Sequence, residues 1–331
     1  MACCFLLGSY YCYDIPGVIQ DETKNLFDVN DSGALMLYSV YSYPNMVLPA
    51  FGGIFLDKIG IRPGLLLFTT ILTLGQFVCA AGVYYKSYAL MLAGRVIFGL
   101  GGESMSVAQS AIVSVWFKGK ELAFALGVNL SISRLGSVVN GATVPAMTND
   151  ESMTFAYLVG GMICVFSLGN AVGLVSLDKW AEKKNPNAEK AALTDEDKFK
   201  FSDLKKFRLA FWLLTGSCVV TYMSVFPYLQ IVSDVLKTKY NFDGVEAGRL
   251  FGIPYIISAS TSPFLGLLID KIGRRAIIIT FSSVVLSVAY FISMSLKPCD
   301  RCYSEVYSLV LVGCGYSIYA AAIWGSIPYV V

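Results

Sequence analysis

Apolar residues run along this chain in ten long blocks, at approximately 1–20, 33–56, 64–84, 88–115, 122–146, 154–178, 208–232, 246–269, 276–296 and 304–331. A bilayer core about 30 Å thick is crossed by about 20 mostly apolar residues in a helix, so each block has the length of a transmembrane span. The polar gaps between blocks are short, with one exception. Residues 179–207, rich in Lys, Glu, Asp and Asn, read as a solvated linker between two bundles. The pattern predicts an all-α membrane protein: a six-helix bundle over 1–178, a linker over 179–207 and a second bundle over 208–331. The first block lacks a basic leading region and carries Asp14 in its middle, so it reads as a first span rather than a signal peptide.

Two gaps carry the same sentence. Gly53-Ile-Phe-Leu-Asp57-Lys58-Ile-Gly60-Ile-Arg62 follows segment 2, and Gly266-Leu-Leu-Ile-Asp270-Lys271-Ile-Gly273-Arg274-Arg275 follows segment 8. Both read Gly-x-x-x-Asp-Lys-Ile-Gly-x-Arg, six segments apart, and a duplicated six-helix unit is the economical explanation. On that logic the second unit shows four of its six helices, and the chain is expected to be truncated after helix 10. Gly60 and Gly273 suit turns with positive φ. Gly53 and Gly266 are expected to allow close helix approach, and the charged residues to bridge neighbouring helix ends.

Lysine and arginine give an orientation. With Arg208 and Arg249, at the edges of their blocks, counted with the gaps they adjoin, the gaps after segments 2, 4, 6 and 8 hold 16 of the 25 and those after segments 1, 3, 5, 7 and 9 hold 7, while Arg95 and Arg134 lie inside spans. The positive-inside rule then places the even-numbered gaps and the N-terminus in the cytosol. The linker dominates this count; without it the two sides balance.

Composition narrows the function classes. Of 331 residues, 56% are hydrophobic and 15% charged, with a mean hydropathy of +0.62, where a soluble domain has roughly 25% charged. A net charge of +2 excludes nucleic acid as a partner. Cys79, Cys164, Cys218 and Cys314 lie in apolar runs and read as small hydrophobes. Cys299 and Cys302 sit in a short polar loop, where a local disulfide is possible. With no histidine in the chain, a metal site there lacks further ligands, and no metal or cofactor is expected. No nucleophile with a base and no phosphate-cradling loop stands out, so an enzyme is not expected.

Four ionisable residues fall at bilayer depth: Asp14, Arg95, Glu103 and Arg134. Each costs about 2.5–3.5 kcal/mol to insert, which makes function the default reading. Glu103 in segment 4 and Arg134 in segment 5 sit at matching depth, about 18–20 Å from the same end of adjacent helices. An acid and a base so placed suit a zwitterion, the carboxylate for an α-amino group and the planar guanidinium for an α-carboxylate. The alternative is that the two neutralise each other as an ion pair. Arg95 reads as structural or gating. Asp14 lines a cavity or pairs with a neighbour, and Tyr13, Tyr222, Tyr228 and Trp324 either pad the cavity or pack. Asn30-Asp-Ser32 is a glycosylation sequon close to segment 2.

The paired decapeptides resemble a signature of the major facilitator superfamily, and Arg95-Val-Ile-Phe-Gly99-Leu-Gly101 resembles its helix 4 signature. That resemblance implies two inverted-repeat helical bundles around a central cavity, with alternating access by rocking of one against the other. Longer stretches are similar to a family of lysosomal dipeptide uniporters within it: Tyr11-Cys-Tyr-Asp14-Ile-Pro16, Tyr41-Ser-Tyr-Pro44-Asn45, Gly101-Gly-Glu103-Ser-Met-Ser-Val-Ala-Gln109, Trp116-Phe-Lys-Gly-Lys-Glu121 and Ser131-Ile-Ser-Arg134-Leu-Gly-Ser137-Val-Val-Asn140. The resemblance implies dipeptide export from the lysosome by uniport, binding at Glu103 and Arg134, and a heavily glycosylated lysosomal membrane protein as partner. It also implies two further helices and an acidic dileucine sorting signal, and neither is found here. A proton-coupled carrier of organic anions or sugars, and a truncated membrane protein that does not transport, are the competing readings.

Overall fold

The computed structural model describes residues 2–46, 48, 55, 56, 58–117, 120–150, 152–184 and 207–326. Gly53 and Asp57 of the first decapeptide, the Asp270 side chain of the second and residues 185–206 of the linker lie outside the described residues. Within them the chain is helical and contains no strand.

The helices are α1 (Leu7–Val18), α2 (Gln20–Phe27), α3 (Asp31–Asn45), α4 (Ile61–Tyr84), α5 (Tyr88–Trp116) and α6 (Lys120–Asp150). They continue as α7 (Met153–Lys184), α8 (Leu209–Tyr240), α9 (Gly244–Phe251), α10 (Ile253–Ile272), α11 (Arg275–Ser295) and α12 (Glu305–Ser326). Side chains start several of them: the Gly33, Leu90 and Glu246 N–H groups donate to Asn30, Ser87 and Asp243, each satisfying a donor the helix leaves unpaired. Asn30 is thus the N-cap of α3, a structural duty for the residue of the sequon.

Seven helical stretches among the described residues are long and apolar enough to cross a membrane, or eight if α1 and α2, bent by 69°, count as one. Two of the ten expected spans, 33–56 and 122–146, are incompletely described. In 33–56 the described helix α3 runs to Asn45. Helix α6 covers the whole of 122–146 and buries Asn129, Ser133, Arg134, Ser137 and Asn140, an inward polar stripe. The segment expected at 246–269 is two helices meeting at Gly252. Helix α7 runs on to Lys184, six residues past the expected end of segment 6.

The buried apolar residues gather into one core drawn from 5–175, a second built from 225–320 together with Val18 of α1, and a small third of Ile269, Ile279, Tyr319, Ala322 and Ile323. Between them α6 lies against α9 and α10 with backbone touching backbone. A Cβ on Gly141 would sit 2.3 Å from the Gly248 carbonyl oxygen, and one on Gly248 2.2 Å from that of Gly141. Further along, Ser131 hydrogen-bonds the Ala259 carbonyl and Gly127 packs on Pro263.

The repeated turns behave as their glycines predict, with φ of +96° at Gly60 and +70° at Gly273. Arg62 bridges to Asp178 and Glu182 at the end of α7. At Gly266 a Cβ would meet nothing within 4 Å among the described residues. Cys299 and Cys302 are joined in a disulfide, and their loop docks on the end of α8 through Arg301 N–H to the Tyr240 carbonyl at 2.8 Å.

Because Gly141 and Gly248 leave no room for a Cβ, Gly248→Val is expected to cost about 1–3 kcal/mol through overpacking. A thermal melt of the purified protein in detergent should read this as a fall in midpoint of several degrees, while Gly216→Val, at a position with open space around it, should leave it within a degree or two.

Candidate functional site

The construction of the site begins with a break in α1. Pro16 has no N–H, so the Cys12 carbonyl four residues earlier receives no helical hydrogen bond. Gly17 donates its N–H to the Tyr38 hydroxyl at 2.8 Å. Arg95 of α5 reaches into this gap. Its Nη1 donates to the Cys12 carbonyl and its Nη2 to the Tyr13 carbonyl, both at 3.2 Å, while Nε donates to Leu37 of α3 at 3.2 Å. Four rings, Tyr13, Tyr38, Tyr41 and Phe98, surround the guanidinium at 5.3–5.8 Å. With 0% of its surface exposed, Arg95 is a rivet joining α1, α3 and α5. Gly99, one turn on, lets α5 approach α3 so closely that a Cβ would lie 2.5 Å from the Tyr41 carbonyl oxygen.

Glu103 is solvent-accessible and accepts a hydrogen bond from the Tyr41 hydroxyl at 3.2 Å on Oε1. Arg134, in α6, is 2% exposed. Its Nη1 donates to Ser262 Oγ of α10 at 3.4 Å, and its guanidinium lies over the Tyr316 ring of α12 at 4.6 Å. The two residues are 13 and 14 positions from the adjoining ends of α5 and α6, about 20 Å along each helix. They form no ion pair with each other. Tyr10, on α1, is within electrostatic reach of Glu103, Arg134, Asp14 and Tyr316 alike, so these groups share one region.

Asp14 is 4% exposed and accepts from the Tyr255 hydroxyl of α10 at 3.5 Å. It pairs across the seam rather than facing open space. Tyr13 does likewise, its hydroxyl accepting from Gln230 of α8 at 2.9 Å. Tyr222 and Trp324 stand together, the indole N–H donating to the phenol oxygen at 2.9 Å, with Trp324 57% exposed. Tyr228 is turned away from the site. It donates to the buried Glu305 at 2.9 Å, which also accepts from Tyr240 at 2.8 Å and from Ser293, and so belongs to the packing of the second core.

Tyr10, Tyr255, Ser262 and Tyr316 were not singled out from the sequence. A signal existed for two of them: Tyr255, Ser258 and Ser262 fall at helical spacing and are all buried, a polar stripe inside an apolar span. A hollow of about 490 Å³ on the outer side of α10, lined by Ser260, Thr261, Phe264, Leu267, Leu268 and Lys271, lies apart from these groups. Among the described residues no acidic or cysteine cluster has the makings of a metal site.

Residues 2–331 match the Major Facilitator Superfamily. The chain belongs to that superfamily. It is 36% identical to the lysosomal dipeptide transporter MFSD1 of Bos taurus and 35% identical to that of Homo sapiens, in each case over 99% of this chain and 71% of the relative. Its fold is that of FucP in the outward conformation, with a TM-score of 0.66 at 16% identity over 98% of this chain and 82% of FucP. Tetrameric PepTSo2 gives a TM-score of 0.65 at 14% identity over 98% and 85%. A superfamily member with this many apolar helices is a multi-pass membrane transporter and not an enzyme.

The Arg95 rivet makes a prediction specific to Pro16. Arg95→Leu removes three hydrogen bonds to buried carbonyls and should destabilise the protein by about 3 kcal/mol or more. Adding Pro16→Ala returns an N–H to the Cys12 carbonyl, so the double variant should melt above Arg95→Leu alone. Pro16→Ala by itself should gain nothing, because Arg95 already occupies that carbonyl.

Proposed function

We propose that this chain carries dipeptides out of the lysosome by uniport, alternating access between the two sides of the membrane, with its N-terminus in the cytosol and a glycosylated lysosomal membrane protein beside it. The observation that carries the reading is the pair Glu103 and Arg134: opposite charges at equal depth in one region, not spent on each other. A dipeptide main chain presents an ammonium at one end and a carboxylate at the other. Glu103, already oriented by Tyr41, takes the first, and Arg134, whose remaining N–H donors have no carboxylate partner, takes the second. Two relatives named as lysosomal dipeptide transporters support the substrate class and the compartment.

Alternating access requires contacts between halves that can be made and broken. At the face bearing the α1–α3 connection, Lys24 of α2 lies 3.6 Å from Asp234 of α8, and Lys237 of α8 lies 3.6 Å from Asp21 and 3.5 Å from Glu22. Lys24 also pairs with Asp21 and Asp31 on its own side, at 2.9 and 2.8 Å. Each cross-contact is long and partly solvated, the sort of pair that contributes only about 0–1 kcal/mol. Such a cluster supports a closure that opens without great cost, and the orientation read from lysine and arginine makes this the lumenal side.

Uptake of labelled dialanine into proteoliposomes tests the site. Glu103→Gln and Arg134→Gln should each raise KM by roughly 10–100-fold, the loss expected of a charge-assisted hydrogen bond. Unchanged KM in both variants rejects the reading. For the closure, Lys237→Glu should lower the transport rate severalfold, and pairing it with Glu22→Lys should restore most of the loss.

A further inference from the structure

The Arg134 guanidinium raises a question that the substrate alone does not answer: what holds it ready when no carboxylate is present. It sits on α6 with 2% of its surface exposed, yet both partners that it touches come from the other half of the molecule, Ser262 on α10 and Tyr316 on α12. Ser262 spends its own proton on the Ser258 carbonyl at 2.6 Å, so toward Arg134 its oxygen can only accept. Tyr316 offers its ring face. That ring is itself fixed, buried to 7% exposure and met edge-on by Tyr222 at 6.0 Å and Phe226 at 6.2 Å. A guanidinium laid on an aromatic face keeps its in-plane N–H edge free, and that edge is what a carboxylate takes in a two-pronged contact.

We propose that Tyr316 and Ser262 are the second half's share of the carboxylate subsite, positioning residues that pre-set Arg134 so that its N–H edge is presented to the ligand's carboxylate. The inference rests on the dipeptide reading above and adds the residues that make one end of it selective. A free guanidinium has many rotamers to lose on binding; one already stacked has few, and the advantage appears as affinity for the carboxylate rather than as turnover. The stack crosses between the halves, so it exists only while α6 and α10 are packed as they are here. A carboxylate therefore meets its prepared partner in this arrangement and a less ordered one after the halves rock apart.

The experiment compares dialanine with dialanine amide, which lacks the carboxylate, in proteoliposomes. Tyr316→Leu should raise KM for dialanine roughly tenfold with kcat within twofold of the parent, and raise KM for the amide less than twofold. Tyr316→Phe keeps the ring face and should match the parent on both ligands. Ser262→Ala, which removes one long hydrogen bond, should raise KM for dialanine about twofold to fivefold and spare the amide. Tyr316→Met, similar in volume but without a ring, repeats the test should the Leu variant not fold. An equal rise on both ligands, or no rise on either, overturns the inference. Arg134→Gln measured alongside separates the two readings. A large rise there without a carboxylate-selective effect at Tyr316 sinks only this proposal, whereas no rise at Arg134 sinks the dipeptide reading with it.

Discussion

A backbone carbonyl inside hydrocarbon has no water to turn to, and the one that Pro16 leaves open at Cys12 is met by Arg95, which also donates to the Tyr13 carbonyl. The rest of the site depends on that repair. Pro16 removes one hydrogen bond from α1, the chain bends by 69° between α1 and α2, and Tyr13 and Asp14 of α1 meet Gln230 and Tyr255 across the seam. A buried charge is expensive unless hydrogen-bonded. Here it is stabilised by three carbonyls and four aromatic rings, so this arginine resides in the middle of a bundle without a salt bridge among the described residues.

The seam between the halves combines two kinds of contact with different physical character. Along α6 and α9 the backbones touch at Gly141 and Gly248, a contact made of shape alone. Nearer the site the contacts are single hydrogen bonds: Tyr255 to Asp14, Gln230 to Tyr13, Arg134 to Ser262. At the face are partly solvated ion pairs. Close glycine packing suits a pivot, because it has no side chains to repack as helices slide. Single hydrogen bonds and solvated pairs suit surfaces that part, because each is weak and water can replace it. The arrangement places the durable contact and the exchangeable ones on the same interface.

Much of this was legible in the chain. Ten apolar blocks, a charged linker and a decapeptide repeated six spans apart announced a duplicated bundle of membrane helices, and the positive φ at Gly60 and Gly273 follows from the repeat itself. Glu103 and Arg134 were visible because charge is rare at that depth, and their equal distance from a shared turn follows from helical rise. Errors came where composition stood in for geometry. The expected end of segment 6 at 178 falls inside α7, which persists to Lys184, and the inward polar stripe of α6 went unread.

Sequence by itself determined the class of molecule, the number and order of most helices, and which charges lie at bilayer depth, because each follows from local hydropathy and fixed helical rise. Only the tertiary structure decided what those charges touch. That Arg95 serves a carbonyl freed by a proline 79 positions earlier, that Asp14 and Tyr13 pair across the seam, and that Arg134 rests on Tyr316 instead of on Glu103 are facts of helix packing. They depend on which face of each helix turns inward and how closely two backbones approach, and residues distant in the chain set both.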